Sequence, residues 1–147
     1  MNPNKPSNKQ KRPFFEWKRQ LGLEECPYLE RWMLDLRLFS IRIHHFRSND
    51  DDRALHDHPW SFLTFILKGG YTDVSDIGDK HLKRFSFNYR HATHKHTVEV
   101  DPGGVWTLCL TGPKHRNWGF WVPKKDGTFK FKKANKYFIE HGHHPCE

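Results

Sequence analysis

Cysteine is scarce. Cys26, Cys109 and Cys146 lie far apart among 147 residues and form no CxxC pair. That excludes a disulfide scaffold and a zinc ribbon, and it fits reduced thiols in a cytosol. Long apolar runs are missing as well. No stretch approaches the length that spans a bilayer, and no signal-peptide pattern opens the chain, so the expectation is a soluble, cytoplasmic protein with no membrane partner. Glycine-rich loops of the Walker or dinucleotide type are absent, and so is any internal repeat. Aliphatic residues are few, but six Trp and twelve Phe can fill a core with few side chains because each buries a large area. At this length one domain is the simplest reading.

Acidic residues are missing from residues 1–13, which hold Lys5, Lys9, Lys11 and Arg12 and so carry half of the formal charge of +8. Residues 1–12 are almost free of apolar side chains and read as a disordered basic arm. A second basic cluster runs through Lys130, Lys132, Lys133 and Lys136. Such charge fits either a solvated surface or attraction to nucleic acid through the arm. The domain proper is expected over 13–140. Residues 141–147 form a His-rich tail with metal-friendly side chains in a terminal, mobile setting.

Phe14, Trp17 and Leu21 recur at three to four residues, which predicts a short helix over 13–23, with Gly22 near its end. Cys26 to Trp32 reads as a turn or short helix. From Leu36 the period becomes two. Phe39, Ile41, Ile43 and His45 share one face, and Ser40, Arg42 and His44 share the other. Either His44 or His45 faces the interior. Ser48-Asn49-Asp50-Asp51-Asp52 lacks the later Gly and Glu of a calcium loop and reads as a solvated turn. Trp60 to Leu67 is a continuous apolar strand, stopped by Lys68-Gly69-Gly70. Further short strands are expected over 85–89, 94–100, 105–111, 117–122 and 128–131, most of them set apart by turn residues such as Asp101-Pro102-Gly103-Gly104, with a last helical turn over 135–140. Many short strands with turn chemistry between them read as an all-β sandwich or barrel.

The most informative segment is Leu55-His56-Asp57-His58-Pro59-Trp60. In a strand, residues i and i+2 point to one face, so His56 and His58 can aim at one point, and a shared metal ion is the usual reason for paired imidazoles to do so. A third nitrogen must come from elsewhere. His94 and His96 lie on a later strand, again two apart, and His96 is taken as the third ligand with His94 as the alternative. The face that carries His56 and His58 continues through Trp60, Phe62 and Thr64 and holds no carboxylate, while Asp57 points away. The expected centre is therefore neutral, with three His. Cys109 lies mid-strand and reads as a small buried hydrophobe. Lys114-His115-Arg116 follows a Gly-Pro turn, where Arg116 is placed to clamp an acidic group.

His56-x-His58 followed by Gly69 or Gly70 resembles the first motif of the cupins, H-x-H-x(3,4)-E-x(6)-G. The Glu of that motif falls on Phe62 or Leu63 here, its preceding Gly on Asp50, and only His96 stands for the second motif. The wider run through Cys26-Pro27-Tyr28, Arg53 to Trp60, Gly69-Gly70-Tyr71 and Leu110-Thr111-Gly112-Pro113 to Trp118-Gly119-Phe120 is similar to a group of small cupin-like proteins of bacteria and phages. The resemblance implies a double-stranded β-helix, a jelly-roll barrel, which hosts oxygenases, isomerases, epimerases and plain binding proteins. The reading that follows is a metal-dependent enzyme, a non-heme oxygenase with Fe(II) favoured over Mn, Ni or Zn on His56, His58 and His96. A small, anionic substrate would lie in a pocket formed by His44, Arg53, Trp60, Thr64, Arg116 and Trp118. No catalytic residue is singled out. The absence of an HxD dyad argues against a typical 2-oxoglutarate oxygenase. The alternatives are a non-catalytic module that binds nucleic acid or a phage or host partner, and a metal-independent sugar-nucleotide isomerase or epimerase with a His as base. A homodimer is also consistent with barrels of this kind.

Overall fold

A computed structural model describes residues 13–24, 26–49 and 54–141, the side chains of Leu23 and Cys26 excepted. The expected basic arm, Arg53 and residues 142–147 of the His-rich tail lie outside the described residues. Among the described residues ten strands follow one another: β1 (Phe15–Leu23), β2 (Cys26–Asp35), β3 (Ser40–Phe46), β4 (Leu55–His56), β5 (Phe62–Ser75), β6 (Lys80–Leu82), β7 (Phe87–Arg90), β8 (His96–Thr111), β9 (Gly119–Pro123) and β10 (Phe129–Lys133). One helix, α1 (Ala134–His141), follows them. Among the described residues no helix is long and apolar enough to cross a membrane.

Every pairing is antiparallel, in the order β1-β2-β3-β8-β4-β9-β10, with β5 joined to β6, β7 and β8. The long β5–β8 ribbon organises the barrel. It pairs from Phe62↔Thr111 to Ser75↔His96, with register shifts between Ile66 and Lys68 and between Gly69 and Tyr71. The Val105–Thr111 half of β8 is also flanked by β3, whereas its His96 end meets β4. Bulges bend strands and sharpen their twist, so one ribbon serves two parts of the wall.

Two buried apolar clusters form among the described residues. Ile66, Tyr71, Leu82, Val98 and Val105 pack with Phe46 and Val100. Ala54, Phe120 and Tyr137 pack with Trp118, Val122 and Phe138, and the Phe120 and Tyr137 rings stack at 4.0 Å.

The chain departs from the sequence expectations in three places. Residues 13–23 form β1 and not a helix. Lys18 has φ 47 and sits in a register shift between Glu16 and Arg19. This extra residue resets the alternation, so Trp17 and Leu21 are four apart without a helix. Cys26 to Trp32 likewise belongs to a strand, because β2 pairs with β1 from Cys26 to Leu34 and with β3 from Leu29 to Asp35. Lastly, neither Lys68-Gly69-Gly70 nor Asp101-Pro102-Gly103-Gly104 ends a strand. They lie inside β5 and β8, where Gly69, Gly103 and Gly104 take positive φ.

Candidate metal centre and cavity

Three short pieces of backbone bring His56, His58 and His96 together. His56 on β4 pairs with His96 on β8 and with Phe120 on β9. Asp57, between the two imidazoles, is fully buried and turned the other way. Its carboxylate accepts hydrogen bonds from the Gly119 N–H at 2.9 Å and Trp121 Nε1 at 3.0 Å, and lies 2.9 Å from Arg116 Nη1. Pinning Asp57 outward sets its neighbours inward. His58 follows β4, where its N–H donates to the Ala92 carbonyl at 3.0 Å.

The ring centroids of His56 and His58 are 5.0 Å apart, those of His56 and His96 4.8 Å, and those of His58 and His96 5.2 Å. One nitrogen from each ring lies within 4.8 Å of the other two, so the three form a group that could hold a metal ion. The Nε2 atoms of His58 and His96 are 2.9 Å apart. With metal–nitrogen bonds of about 2.1 Å, two nitrogens at right angles about one ion are separated by about 3 Å, against about 3.4 Å at the tetrahedral angle.

Two of the imidazoles, His58 and His96, are held neutral, the form that ligates metal. Burial depresses His58 well below its ordinary value, and His56, His96 and Arg42 nearby add to the effect. Burial also carries His96 down to about 4, against the opposing hydrogen bond from Asp73. His96 Nδ1 donates to Asp73 Oδ2 at 3.0 Å, which leaves Nε2 with its lone pair toward His58. Asp73 in turn receives His94 Nε2 at 3.0 Å, Arg90 Nε at 3.2 Å and Asn88 Nδ2 at 3.3 Å. Burial works to raise its carboxyl, but the bonds from His96 and His94 and the Arg90 charge outweigh it and hold the pKa far below the usual carboxylate range. A carboxylate behind a ligating His orients the ring and raises its basicity.

Asp73, His94 and His96 form a second group with metal-compatible spacing. There the carboxylate is already shared with Arg90 and Asn88, and a guanidinium beside the ion would repel it. His94 belongs to the support of Asp73 and does not join the first group. Of Phe62 and Leu63, the two residues at the spacing of the cupin Glu, Phe62 faces the triad, its ring 4.7 Å from His58 and 5.9 Å from His96.

The triad opens on a cavity of about 540 Å³. His44, Trp60, Thr64 and Trp118 line it. His45 points elsewhere, stacked on Trp106 at 4.2 Å and facing Glu30 at 3.4 Å. Arg116, expected as a substrate clamp, is not in the lining. It braces the wall from behind through the His58 carbonyl at 3.0 Å, the Ala92 carbonyl at 3.2 Å and Asp57. Cys109 faces the cavity but is buried, and burial pushes its thiol up to about 11.

Sequence reasoning missed Asp73, Arg42 and Thr107. Asp73 lies beyond the glycines that were read as the end of a strand. Arg42 shares the inward parity of His44, and Thr107 that of Cys109, so alternation alone could have found both. Cross-strand register joins Met33, Arg42, Cys109 and Thr64 in one inward row, and Arg31, His44 and Thr107 in the next.

No protein-family model and no curated protein sequence matches the chain. Solved structures do match by shape. A cupin-2 domain protein of Rhodospirillum rubrum aligns with a TM-score of 0.57 and 14% identity, over 79% of this chain and 85% of that one. The Fe(II) form of HppE aligns at 0.53 and 10% identity, over 63% of this chain and 54% of its own length. The salicylate 1,2-dioxygenase of Pseudoaminobacter salicylatoxidans aligns at 0.51 and 8% identity, over 59% of this chain and 26% of its own. The match therefore spans about half of HppE and a quarter of the dioxygenase. At these identities the likeness concerns the fold, which is the all-β jelly-roll barrel of the cupins.

Proposed function

We propose that this protein is a metal-dependent cupin enzyme, a non-heme Fe(II)-type oxygenase that acts on a small, anionic substrate. The observation that carries the reading is the convergence of three imidazole nitrogens at the wall of an aromatic cavity, with His58 and His96 kept neutral by burial. His56, His58 and His96 would hold the ion, which when bound supplies a Lewis-acidic centre with open positions for oxygen and substrate. The 2.9 Å spacing of two ring nitrogens lets both reach one ion, and an all-imidazole set suits iron among the first-row divalent metals. Asp73 keeps His96 in the ligating tautomer. Trp60, Phe62 and Trp118 exclude water and give the substrate an apolar bed.

Untagged protein, purified and analysed for metals, is expected to carry close to one equivalent of a first-row divalent ion. A His56→Ala/His58→Ala variant that stays folded by circular dichroism is expected to carry almost none. Equal metal content in the two proteins overturns the reading. Iron-loaded protein that consumes no oxygen with any small carboxylate offered removes the oxygenase part and leaves the metal centre.

A further inference from the structure

The cavity wall is charged in a way that apolar packing does not require. Its basic side chains are Arg19, Arg31, Arg42 and Lys114, against the single acid Glu16. Glu16 is already matched, by Arg19 at 2.9 Å and Arg31 at 2.8 Å. Exposure falls inward along this set: the Arg19 side chain is 55% exposed, Arg31 17%, and Arg42 only 6% as a residue. The deepest cation is held in a fixed pose. Arg42 Nε donates to Ser40 Oγ at 2.9 Å, and its guanidinium carbon lies 4.5 Å from the Trp60 ring centre. Trp60 stacks in turn on His58 at 4.9 Å, so the guanidinium stands one indole away from the imidazole triad. On the next row inside the barrel, Thr107 is 1% exposed and its Oγ1 has no hydrogen-bond partner among the described residues. A buried hydroxyl without a partner is costly and calls for an explanation. A ligand that reaches the cavity wall supplies one.

We infer that the cavity selects a small monocarboxylate with a flat apolar body, that Arg42 is the anchor for its carboxylate, and that Thr107 supplies a supporting hydrogen bond. A planar guanidinium matches a carboxylate through two parallel bonds. The aromatic walls cover a flat hydrocarbon face, and the anchor's place beside Trp60 lays that face toward His58. The inference deepens the enzyme reading and rests on it only for what happens after binding. Binding itself depends on Arg42 and not on the ion.

Benzoate is the probe, with benzamide as its neutral isostere and phenyl phosphate as the competing anion type. Each is titrated by calorimetry and by Trp fluorescence into wild-type protein, both as purified with its metal and after chelation. The expected result is saturable benzoate binding in both forms, with benzamide and phenyl phosphate each weaker by at least about tenfold. Arg42→Gln should weaken benzoate by at least about tenfold, Arg42→Lys should weaken it less, and bound metal should be unchanged in both. Thr107→Val should weaken it by about three- to tenfold. Failure of benzoate to bind, equal binding of benzamide, tighter binding of phenyl phosphate, or wild-type affinity in Arg42→Gln each overturns the inference. If Arg42→Gln does not fold, the contrast among the three probes on wild-type protein still decides. Wild-type protein that purifies without metal and takes up none when a divalent ion is added, yet binds benzoate, sinks the metalloenzyme reading and keeps this one. A full complement of metal with no benzoate binding does the reverse.

Discussion

Asp73 accepts four hydrogen bonds while fully buried, from His94, His96, Asn88 and Arg90. Its role is positional: it sets the tautomer and tilt of one imidazole. Asp73→Asn keeps the shape but removes the charge and one acceptor: an amide oxygen at the Oδ2 position still serves His96, Arg90 and Asn88 and turns an NH2 on His94, and the flipped amide does the reverse. The expected consequence is metal affinity weaker by roughly 10- to 100-fold with the fold retained, measured by competition with a chromogenic chelator. Wild-type affinity in the variant would mean that His96 is oriented by its neighbours alone. The imidazoles themselves predict an acid-sensitive protein. Burial depresses His96 to about 4 and, with Arg31 and Arg42 adding to it, His44 to about 3, whereas both titrate near 6.5 in an unfolded chain. Between those values the unfolded state binds the protons, so this stability is complete above about pH 6.5 and is lost as pH falls toward 4 and below. For His96 it is worth on the order of 3 kcal/mol. Urea midpoints of chelator-treated protein should drop steadily between about pH 6.5 and 4.5, and a His44→Gln variant should show a shallower decline. A flat profile would show that these groups are as easily protonated folded as unfolded.

The β5–β8 ribbon illustrates what a strand pattern reveals and what it conceals. Gly69 has φ 77, and a Cβ there would stand 2.2 Å from the Gly104 carbonyl oxygen. The two glycines thus let two backbones approach where the ribbon is bulged. Gly69→Ala should destabilise the protein by at least about 2 kcal/mol, from left-handed strain and backbone collision together. Gly127→Ala, at φ 83 but with nothing within 4 Å, carries only the conformational part, about 1 kcal/mol. Equal denaturation midpoints for the two variants would remove the steric argument. The same glycines explain why the sequence was read short here. Gly-Gly punctuation marks a turn in most chains, and only pairing across the sheet reveals that β5 and β8 run through it, which hid Asp73 from view. Bulging at Lys18 misled in the opposite sense, by making a strand look helical. The barrel as a class was legible because Trp60 to Leu67 and 105–111 alternate or run apolar without interruption. His56 and His58 were legible because their spacing is local. Arg116 misled because a basic turn beside an aromatic residue says nothing about which side of the wall its guanidinium takes.

The whole molecule carries +8, and the cavity lining repeats that sign. A net positive charge together with a cationic cavity lining raises the rate at which anions arrive, and salt screens the effect over a Debye length of about 10 Å at 0.1 M. Dissociation from a buried guanidinium is screened far less. For benzoate, stopped-flow association should therefore slow by about three- to tenfold between roughly 0.02 and 0.3 M salt, with the dissociation rate nearly constant. The same charge would also drive a nucleic-acid-binding module, and the two differ in kind. Affinity for a duplex that neutralises several phosphates falls steeply with salt, by about one power of concentration for each phosphate neutralised, and it would not depend on Arg42, which is too deeply buried to meet a phosphate backbone. Benzoate affinity should change with salt by less than one power and fall by at least about tenfold in Arg42→Gln. Duplex binding with a slope of several powers, alongside benzoate kinetics indifferent to salt, would place the function of the charge on the outer surface and take it away from the cavity.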